Sequence, residues 1–264
     1  MIVLEAMSKY FHRGGVNQVL ALDAIDLTIG QGDFITVIGS NGAGKSTLLN
    51  CLAGTFPQDC GRLLLNGTNI SAWPEHKRAR WMGRVFQNPL TGTCASLSVE
   101  QNMALALKRG ARRGLGTGVK AGQRRLFRDK LATLGLGLEN RLKSPVGLLS
   151  GGQRQALTMA MATLVQPEVL LLDEHTAALD PKAAAQILEL TARIVKDQAL
   201  TVLMVTHNMK QALAFGNRLV MMHRGRVISD IGQDEKDTLR VEDLLARFYD
   251  IEGEAAVSDR MLLA

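Results

Sequence analysis

The chain has 264 residues, of which 46% are hydrophobic and 21% are charged, as in an ordinary globular protein. There are 31 Lys and Arg residues against 25 Asp and Glu, so the formal net charge is +6 at pH 7. These values exclude a strongly acidic disordered chain, and the positive excess is too small to indicate nucleic acid as a partner.

Three features of the sequence bear on where the protein works. No apolar stretch reaches the ~18 residues that would span a bilayer. The first ten residues carry Glu5 and Lys9 within an apolar run and have no basic leader, so no signal peptide is predicted. Cys51, Cys60 and Cys94 occur singly, without the spacing of a disulfide framework or a zinc site. The sequence therefore predicts a soluble cytoplasmic protein.

Apolar runs separated by glycine-containing turns predict strands at the start of the chain. Ile2–Phe11 and Val19–Ile29 are rich in Val, Ile and Leu. Phe34–Ile38 is short and mostly apolar, which is typical of a strand buried on both faces of a parallel sheet. A glycine-rich segment follows, and then Lys45–Ala53 is predicted as a helix.

The pattern changes between Asn88 and Val165. Apolar spacing there predicts helices at Ser98–Lys108, Gln123–Gly135 and Gly152–Val165, with no convincing strand between them. A helical insertion within an α/β core is the simplest interpretation.

Strands and helices alternate again after the insertion, which predicts an α/β sheet. The predicted strands are Glu168–Leu172, Leu200–Thr206 and Arg218–His223. The predicted helices are Pro181–Val195 and Met209–Phe215. From about Gly232 the chain is charged, with one amphipathic stretch at Val241–Tyr249.

A glycine-rich segment after the third predicted strand matches the P-loop pattern G-x-x-x-x-G-K-[ST]. It follows a strand and opens a helix, so backbone N–H groups and the helix N-terminus would face phosphate oxygens. Lys45 would reach the β- and γ-phosphates, and Ser46 would ligate Mg²⁺. The alternative, a glycine-rich turn with a chance lysine, does not account for this context. The candidate nucleotide-binding residues are Gly39, Ser40, Asn41, Gly42, Ala43, Gly44, Lys45, Ser46 and Thr47.

An apolar strand ending in two carboxylates provides the second motif. Asp173 is placed to hold Mg²⁺, as a strand-end Asp does in P-loop proteins. Glu174 would orient and deprotonate the attacking water. By itself the pair would more simply be an acidic helix cap, and the upstream P-loop favours the catalytic interpretation.

The third motif, Leu149–Gln153, precedes a predicted helix and has two interpretations. Ser150 is a suitable helix N-cap, with Gly151 and Gly152 forming a turn. The same serine hydroxyl, glycine amides and helix N-terminus would equally form a second anion site.

With these three motifs in this order, the chain from Ile2 to about Ser229 resembles the ATP-binding cassette (ABC) ATPases, whose signature is Leu-Ser-Gly-Gly-Gln. The resemblance implies an α/β fold: a P-loop NTPase core with a mostly parallel sheet, an N-terminal antiparallel β-subdomain and an inserted helical subdomain. It implies one ABC ATPase domain at 1–250. The core would span 1–87 and 166–230, the helical subdomain 88–165, and a short tail 231–264.

The resemblance also assigns roles to single residues. Gln87 matches the Q-loop; it would sense the attacking water and would act on Mg²⁺ together with Ser46 and Asp173. His207 matches the switch histidine that contacts the γ-phosphate, and Asp180 lies in the D-loop match Ala178–Asp180. Two such subunits would sandwich each ATP between the P-loop of one and the signature of the other, through Ser150, Gly151, Gly152 and Gln153.

Adenine is expected to stack on an aromatic side chain near the start of the chain. Phe11 is the best match, two residues after Lys9. Tyr10 is its rival, and packing in the core is the alternative for either ring.

One position departs from the family pattern. Many members carry Pro after the catalytic Glu, whereas this chain has His175. A histidine restores a backbone donor and adds a titratable group beside the carboxylate. We therefore expect hydrolysis to survive, with a rate more sensitive to pH.

The segment Lys108–Lys130 holds nine basic residues and one acid, Asp129. A solvated basic face is the simplest interpretation, and contact with anionic lipid headgroups is the alternative. Nucleic acid is third because Phe127 is the single aromatic residue among these charges.

The implied function is the ATP-hydrolysing subunit of an ABC transporter, with ATP and Mg²⁺ as cofactors. Its expected partners are a second ABC subunit (identical or paired), an integral membrane permease and, for an importer, a solute-binding protein; no nucleic acid is expected. It would work at the cytoplasmic face of the membrane. Import is favoured over export, and the layout is similar to amino-acid-type importers. The alternatives are a non-transport ABC ATPase of DNA repair or the ribosome, and the ATPase of a lipid or lipoprotein export system.

Overall fold

The computed structural model describes residues 1–111 and 118–252. These residues form two compact units: one comprises 1–78 with the described part of 201–264, and the other comprises 79–200 without 112–117. None of the helices in the described ranges has the length and apolar character needed to cross a membrane. The domain limits expected from the sequence stay a prediction.

Ten strands and nine α-helices lie within the described ranges, together with two short 3₁₀ helices at Leu138–Asn140 and Val146–Leu148. The strands are β1 (Ile2–Phe11), β2 (Val19–Ile29), β3 (Phe34–Gly39), β4 (Cys60–Leu65), β5 (Thr68–Asn69), β6 (Met82–Val85), β7 (Val169–Asp173), β8 (Val202–Val205), β9 (Arg218–His223) and β10 (Arg226–Ile231). The helices are α1 (Lys45–Ala53), α2 (Glu75–Arg78), α3 (Val99–Leu107), α4 (Ala121–Ala132), α5 (Gly151–Leu164), α6 (Pro181–Gln198), α7 (Met209–Ala214), α8 (Gln233–Lys236) and α9 (Val241–Glu252).

The first unit contains an antiparallel sheet with strand order β2-β1-β4-β5. Its inner strand β1 pairs with β2 from Ile2 opposite Ile29 to Phe11 opposite Val19. Ile2 and Met7 of β1 are fully buried. This sheet confirms the predicted N-terminal antiparallel β-subdomain.

The first unit also contains a largely parallel arrangement around β3. Strand β3 is parallel to β8 on one side and to β9 on the other, and β10 runs antiparallel to β9. Every residue of β3 after Phe34 is buried. The strand reads as a nearly continuous run of β-branched side chains because both of its faces are covered. Since β3 and β8 are parallel, the residues that follow them share one edge of the sheet.

The C-terminal helix α9 is part of the hydrophobic core of the first unit. Leu244 and Phe248 are 0% and 1% exposed. They lie in a buried cluster with Met209, Ala212 and Leu219. The amphipathic stretch predicted near the end of the chain is therefore a helix with an apolar face packed on the core.

The second unit combines a short parallel strand pair with helices. β6 and β7 pair in register from Met82 opposite Val169 to Val85 opposite Leu172. Helix α3 begins with a capping box in which Ser98 Oγ accepts a hydrogen bond from the Gln101 N–H and the Gln101 side chain accepts one from the Ser98 N–H. The three predicted helices of this region are confirmed as α3, α4 and α5.

Most predicted elements lie where the pattern places them, and the discrepancies concern polar or irregular segments. Helix α4 ends at Ala132 rather than at Gly135, whose φ of +70° does not continue a helix. Strands β4, β5, β6 and β10 and the four-residue helices α2 and α8 were not predicted. Strand β4 begins with Cys60, Gly61 and Arg62, β5 and β6 are only two and four residues long, and β10 carries charges at an edge. Arg218 stabilises that edge by donating from Nε to Asp230 Oδ1 over 2.6 Å.

Two basic residues of Lys108–Lys130 have partners within the protein: Arg109 is half-buried, whereas Arg124 stays exposed. Arg109 donates from Nη1 to the Ala162 carbonyl over 2.7 Å and from Nη2 to the Val165 carbonyl, so it satisfies carbonyl groups at the end of α5. Arg124 donates from Nε to Glu100 Oε2 over 2.8 Å. Residues 112–117 of this segment lie outside the described residues.

We expect Phe248→Ala to lower the free energy of unfolding by about 3–5 kcal/mol, because it leaves a cavity in a well-packed cluster. Chemical denaturation would measure the loss, with the exposed Glu242→Ala in the same helix as control. A loss well below 1 kcal/mol for Phe248→Ala would show that α9 does not unfold with the core.

Candidate functional site

The P-loop of the first unit is fixed by two close backbone contacts. A Cβ atom at Gly39 would lie 2.3 Å from the Met222 carbonyl oxygen of β9. Gly44 has a φ of +96°, and a Cβ atom there would lie 2.5 Å from the Ala21 carbonyl oxygen of β2. The close contact alone requires glycine at position 39, and the close contact together with the left-handed backbone requires it at position 44. The two glycines therefore hold the loop against its neighbouring strands.

Lys45 lies folded along this loop at the start of α1. Its Nζ donates to the Gly39 carbonyl over 2.6 Å and to the Ser40 carbonyl over 3.0 Å. Asn41 and Gly42 are exposed, as is Ser46 in the first turn of α1. The loop thus presents an exposed helix N-terminus beside an ammonium group, which is a suitable binding site for phosphate oxygens.

His207 lies at the same sheet edge as the P-loop, two residues after β8. The backbone before it is held because the Thr206 N–H donates to the Val37 carbonyl of β3 over 3.1 Å. The backbone after it is held because Asn208 caps α7, with Oδ1 accepting from the Gln211 N–H over 2.9 Å. The His207 side chain is exposed.

The two candidate adenine-stacking rings both lie at the end of β1, in the first unit. Phe11 makes an edge-to-face contact with Phe56, with 5.4 Å between ring centres and 87° between ring planes. The Tyr10 ring is covered by the Arg13 guanidinium, 5.1 Å from its centre. Both rings are partly exposed, so neither is a core residue.

The register of β6 and β7 brings Gln87 and Glu174 together in the second unit. Val85 lies opposite Leu172, and each candidate residue follows its strand partner by two positions. Gln87 Nε2 donates to Glu174 Oε2 over 3.2 Å. The side chain predicted to sense the attacking water and the predicted base are therefore in direct contact.

Glu174 has a left-handed backbone, with φ of +42°. Residues other than glycine rarely adopt this region, and such strain is concentrated at functional sites. Asp173 at the end of β7 has Arg84 Nη2 3.4 Å from its Oδ2.

The expectation that His175 titrates beside Glu174 was wrong. The side chain is 2% exposed, and its Nε2 lies 3.1 Å from Thr191 Oγ1 of α6. Burial lowers the pKa of His175 from 6.5 to about 4. The imidazole therefore stays neutral at physiological pH and adds no titration beside Glu174.

The signature segment forms the N-terminus of α5 in the second unit. Ser150 Oγ accepts from the Gln153 N–H over 3.2 Å, and Gln153 Oε1 accepts from the Ser150 N–H over 3.3 Å. This capping box realises the N-cap interpretation, and it leaves Ser150 and Gly151 exposed at the end of a 14-residue helix. The interpretation as a second anion site stays a prediction.

The signature packs against the D-loop of the same unit. A Cβ atom at Gly151 would lie 3.2 Å from Leu179 Cδ2, and one at Gly152 would lie 3.3 Å from Ala183 Cβ. Asp180 caps α6, with Oδ1 accepting from the Ala183 N–H over 3.0 Å. The role of Asp180 toward nucleotide stays a prediction.

The candidate metal-binding groups are the Ser46 hydroxyl in the first unit and the Gln87 amide and Asp173 carboxylate in the second. All three provide hard oxygen donors, which fit Mg²⁺. No cluster of three His, Cys, Asp or Glu side chains suited to a metal occurs within the described ranges. This donor set fits an ion that arrives with the phosphates of a nucleotide and needs few protein carboxylates.

We expect the wild type to lose stability relative to His175→Gln as the pH falls from about 6.5 to about 4. In that window the unfolded histidine binds a proton and the folded one does not, so the difference reaches about 3 kcal/mol. Chemical denaturation across this range would measure it.

The exposed His12 provides the matched control for the loss of an imidazole outside the core. His12→Gln should leave the pH dependence of stability as in the wild type. If the free energy of unfolding of the wild type changes with pH in parallel to that of His175→Gln between pH 6.5 and 4, His175 is protonated in the folded chain.

Comparison with known proteins reveals extended similarity. The ABC transporter family model matches residues 22–177. The tyrosine transport ATP-binding protein of Clostridioides difficile is 42% identical over 248 residues, which cover 94% of this chain and 98% of that protein. The methionine import ATP-binding protein of Bartonella henselae is 34% identical, and the match covers 87% of this chain and 64% of that protein.

A solved structure agrees with these relatives. The dimeric ATP-binding cassette in a post-hydrolysis state bound to ADP and Pi is 26% identical, with a TM-score of 0.76, and the match covers 88% of this chain and 99% of that one. The predicted α/β fold of a P-loop ATPase and the predicted ATP hydrolysis are thereby confirmed, and the DNA-repair, ribosomal and lipid-export alternatives gain no support. The chain belongs to the ABC transporter family, as an ATP-binding and ATP-hydrolysing subunit.

Proposed function

We propose that this chain powers the import of an amino acid through a separate integral membrane permease, at the cytoplasmic face of the membrane. The observation that carries the proposal is the similarity to a tyrosine transport ATP-binding protein over 98% of that protein's length. The methionine import relative supports the same solute class. Tyrosine is the first solute to test.

In the proposed site, nucleotide phosphates bind the P-loop. The N–H groups at the start of α1 and the Lys45 ammonium would hold the phosphate oxygens. The His207 side chain, at the same sheet edge, would donate to the γ-phosphate. Phe11 would stack on adenine, with Tyr10 as the alternative.

The acid–base step would fall to Glu174. Its carboxylate would accept the proton of the attacking water, and the Gln87 amide in contact with it would orient that water. Ser46, Gln87 and Asp173 would hold Mg²⁺ with the nucleotide, where the ion would neutralise charge developing on the phosphates.

A second ABC subunit would complete the site. The exposed N-terminus of α5, with Ser150 and Gly151 in its first positions, has the character of an anion site. A γ-phosphate held on a facing P-loop would satisfy it, in a head-to-tail pair of identical or related subunits. The dimeric state of the solved relative supports this arrangement.

We expect Glu174→Gln to reduce ATP turnover by about 10²–10⁴-fold, because it removes the general base but keeps the shape of the side chain. Steady-state phosphate release would measure turnover, and equilibrium binding of a fluorescent ATP analogue should show affinity close to that of the wild type.

The matched control is Glu189→Gln, which makes the same change at an exposed position of α6 and should leave turnover unchanged. Lys45→Ala should differ from both variants by weakening binding itself. Turnover at the wild-type rate in Glu174→Gln would exclude Glu174 as the base.

The membrane partner can be captured in the state that Glu174→Gln traps. Tagged variant is purified from gently solubilised membranes with Mg-ATP present, and we expect a polytopic permease to copurify. Cells that lack the chain should then lose uptake of labelled tyrosine and regain it with the wild type only. Recovery of soluble partners, ribosomes or DNA alone would contradict the transporter proposal.

A further inference from the structure

Arg84 is a charged residue within the short strand β6, whose other members are Met82, Gly83 and Val85. No sequence motif singles it out. Its side chain is only 12% exposed, so the guanidinium is largely removed from water. A buried arginine is costly unless its charge and its donors find partners.

The Arg84 guanidinium lies close to the end of β7. Arg84 lies opposite Leu171 in the parallel register, and Asp173 lies two residues further along the same face of β7. Arg84 Nη2 comes within 3.4 Å of Asp173 Oδ2, whose side chain is 14% exposed. The two opposite charges therefore form a largely buried pair.

A second contact restrains the same guanidinium. The Arg84 Cζ atom lies 4.5 Å from the centre of the Phe86 ring, a distance typical of a cation–π contact. Phe86 directly precedes Gln87, whose amide contacts Glu174. Arg84 is thus held between an aromatic ring and the Asp173 carboxylate, close in sequence to Gln87.

We propose that Arg84 is a positioning residue that orients the Asp173 carboxylate for Mg²⁺ bound with ATP. This inference rests on the role proposed above for Asp173. Carboxylates that ligate metals are themselves commonly hydrogen-bonded, and loss of such a partner reduces metal affinity roughly 10–100-fold. The guanidinium does not oppose binding, since the complex of Mg²⁺ with ATP carries a net negative charge.

The test compares Arg84→Met with Arg84→Lys. Methionine keeps length and removes the charge, whereas lysine keeps the charge and loses the planar fork of donors. Binding of a fluorescent ATP analogue is titrated against Mg²⁺ and repeated in EDTA. We expect Arg84→Met to raise the Mg²⁺ concentration at half-saturation about 10-fold or more, with Arg84→Lys between it and the wild type.

Nucleotide affinity in EDTA should stay the same in both variants, because a positioning role acts only through the metal. The matched control is Arg124→Met, which breaks the ion pair with Glu100 between α3 and α4 in the same unit. It should leave the Mg²⁺ dependence unchanged. Thermal unfolding would establish that each variant is folded. If Arg84→Met does not fold, the comparison of Arg84→Lys with the wild type provides the test.

A double-mutant cycle shows whether Arg84 acts through Asp173. In an Asp173→Ala background, Arg84→Met should change the Mg²⁺ dependence no further. A further change of the same size would overturn the proposal, as would an unchanged or lowered half-saturation concentration in the single variant. Absence of any Mg²⁺ dependence in the wild type would instead contradict the metal site of the proposed function.

Discussion

The nucleotide site depends on how closely β9 and β2 approach the P-loop. The Met222 carbonyl leaves no room for a Cβ atom at Gly39, and the Ala21 carbonyl leaves none at Gly44. These contacts fix both ends of the loop. The central residues of the loop stay exposed, and Lys45 donates to the Gly39 and Ser40 carbonyl groups of the same loop. This arrangement suits the phosphate-binding role proposed for the loop, because phosphate binding requires preorganised N–H groups and charge.

The hydrophobic core of the first unit fixes the strand that leads into this loop. Strand β3 is buried from Ile35 onward between two parallel neighbours, and Thr36 Oγ1 donates to the Ala212 carbonyl of α7 over 3.0 Å. Phe248 and Leu244 of α9 extend that core under Ile38, the residue immediately before the loop. Residues that are distant from the P-loop in sequence therefore fix the end of β3 that leads into the loop.

In the second unit, strand register has the corresponding role. The parallel pairing of β6 with β7 places the side chains that follow them at equal heights, so that the Gln87 amide reaches Glu174. The same pairing brings Arg84 to Asp173. The backbone turns at Glu174, whose φ is positive, directly after the strand residue Asp173, and the two consecutive acids have different partners. One carboxylate remains beside a guanidinium and the other beside an amide, and this difference suits the separate roles proposed for them.

The sequence by itself determined the family, the order of the main strands and helices, and the candidate residues for the chemistry. It could do so because the P-loop, the signature and the Asp-Glu strand are local patterns, whose glycines, hydroxyls and carboxylates are required at fixed spacings. Only the tertiary structure decided what those residues touch. His175 is adjacent to Glu174 in sequence, yet it is packed against Thr191 of α6, and its burial keeps it neutral at physiological pH. Arg109 satisfies carbonyl groups at the end of α5, and Arg84 pairs with Asp173, contacts that span 53 and 89 residues of chain. Neither contact leaves a trace in local periodicity, since long-range pairing depends on register and packing rather than on neighbouring residues.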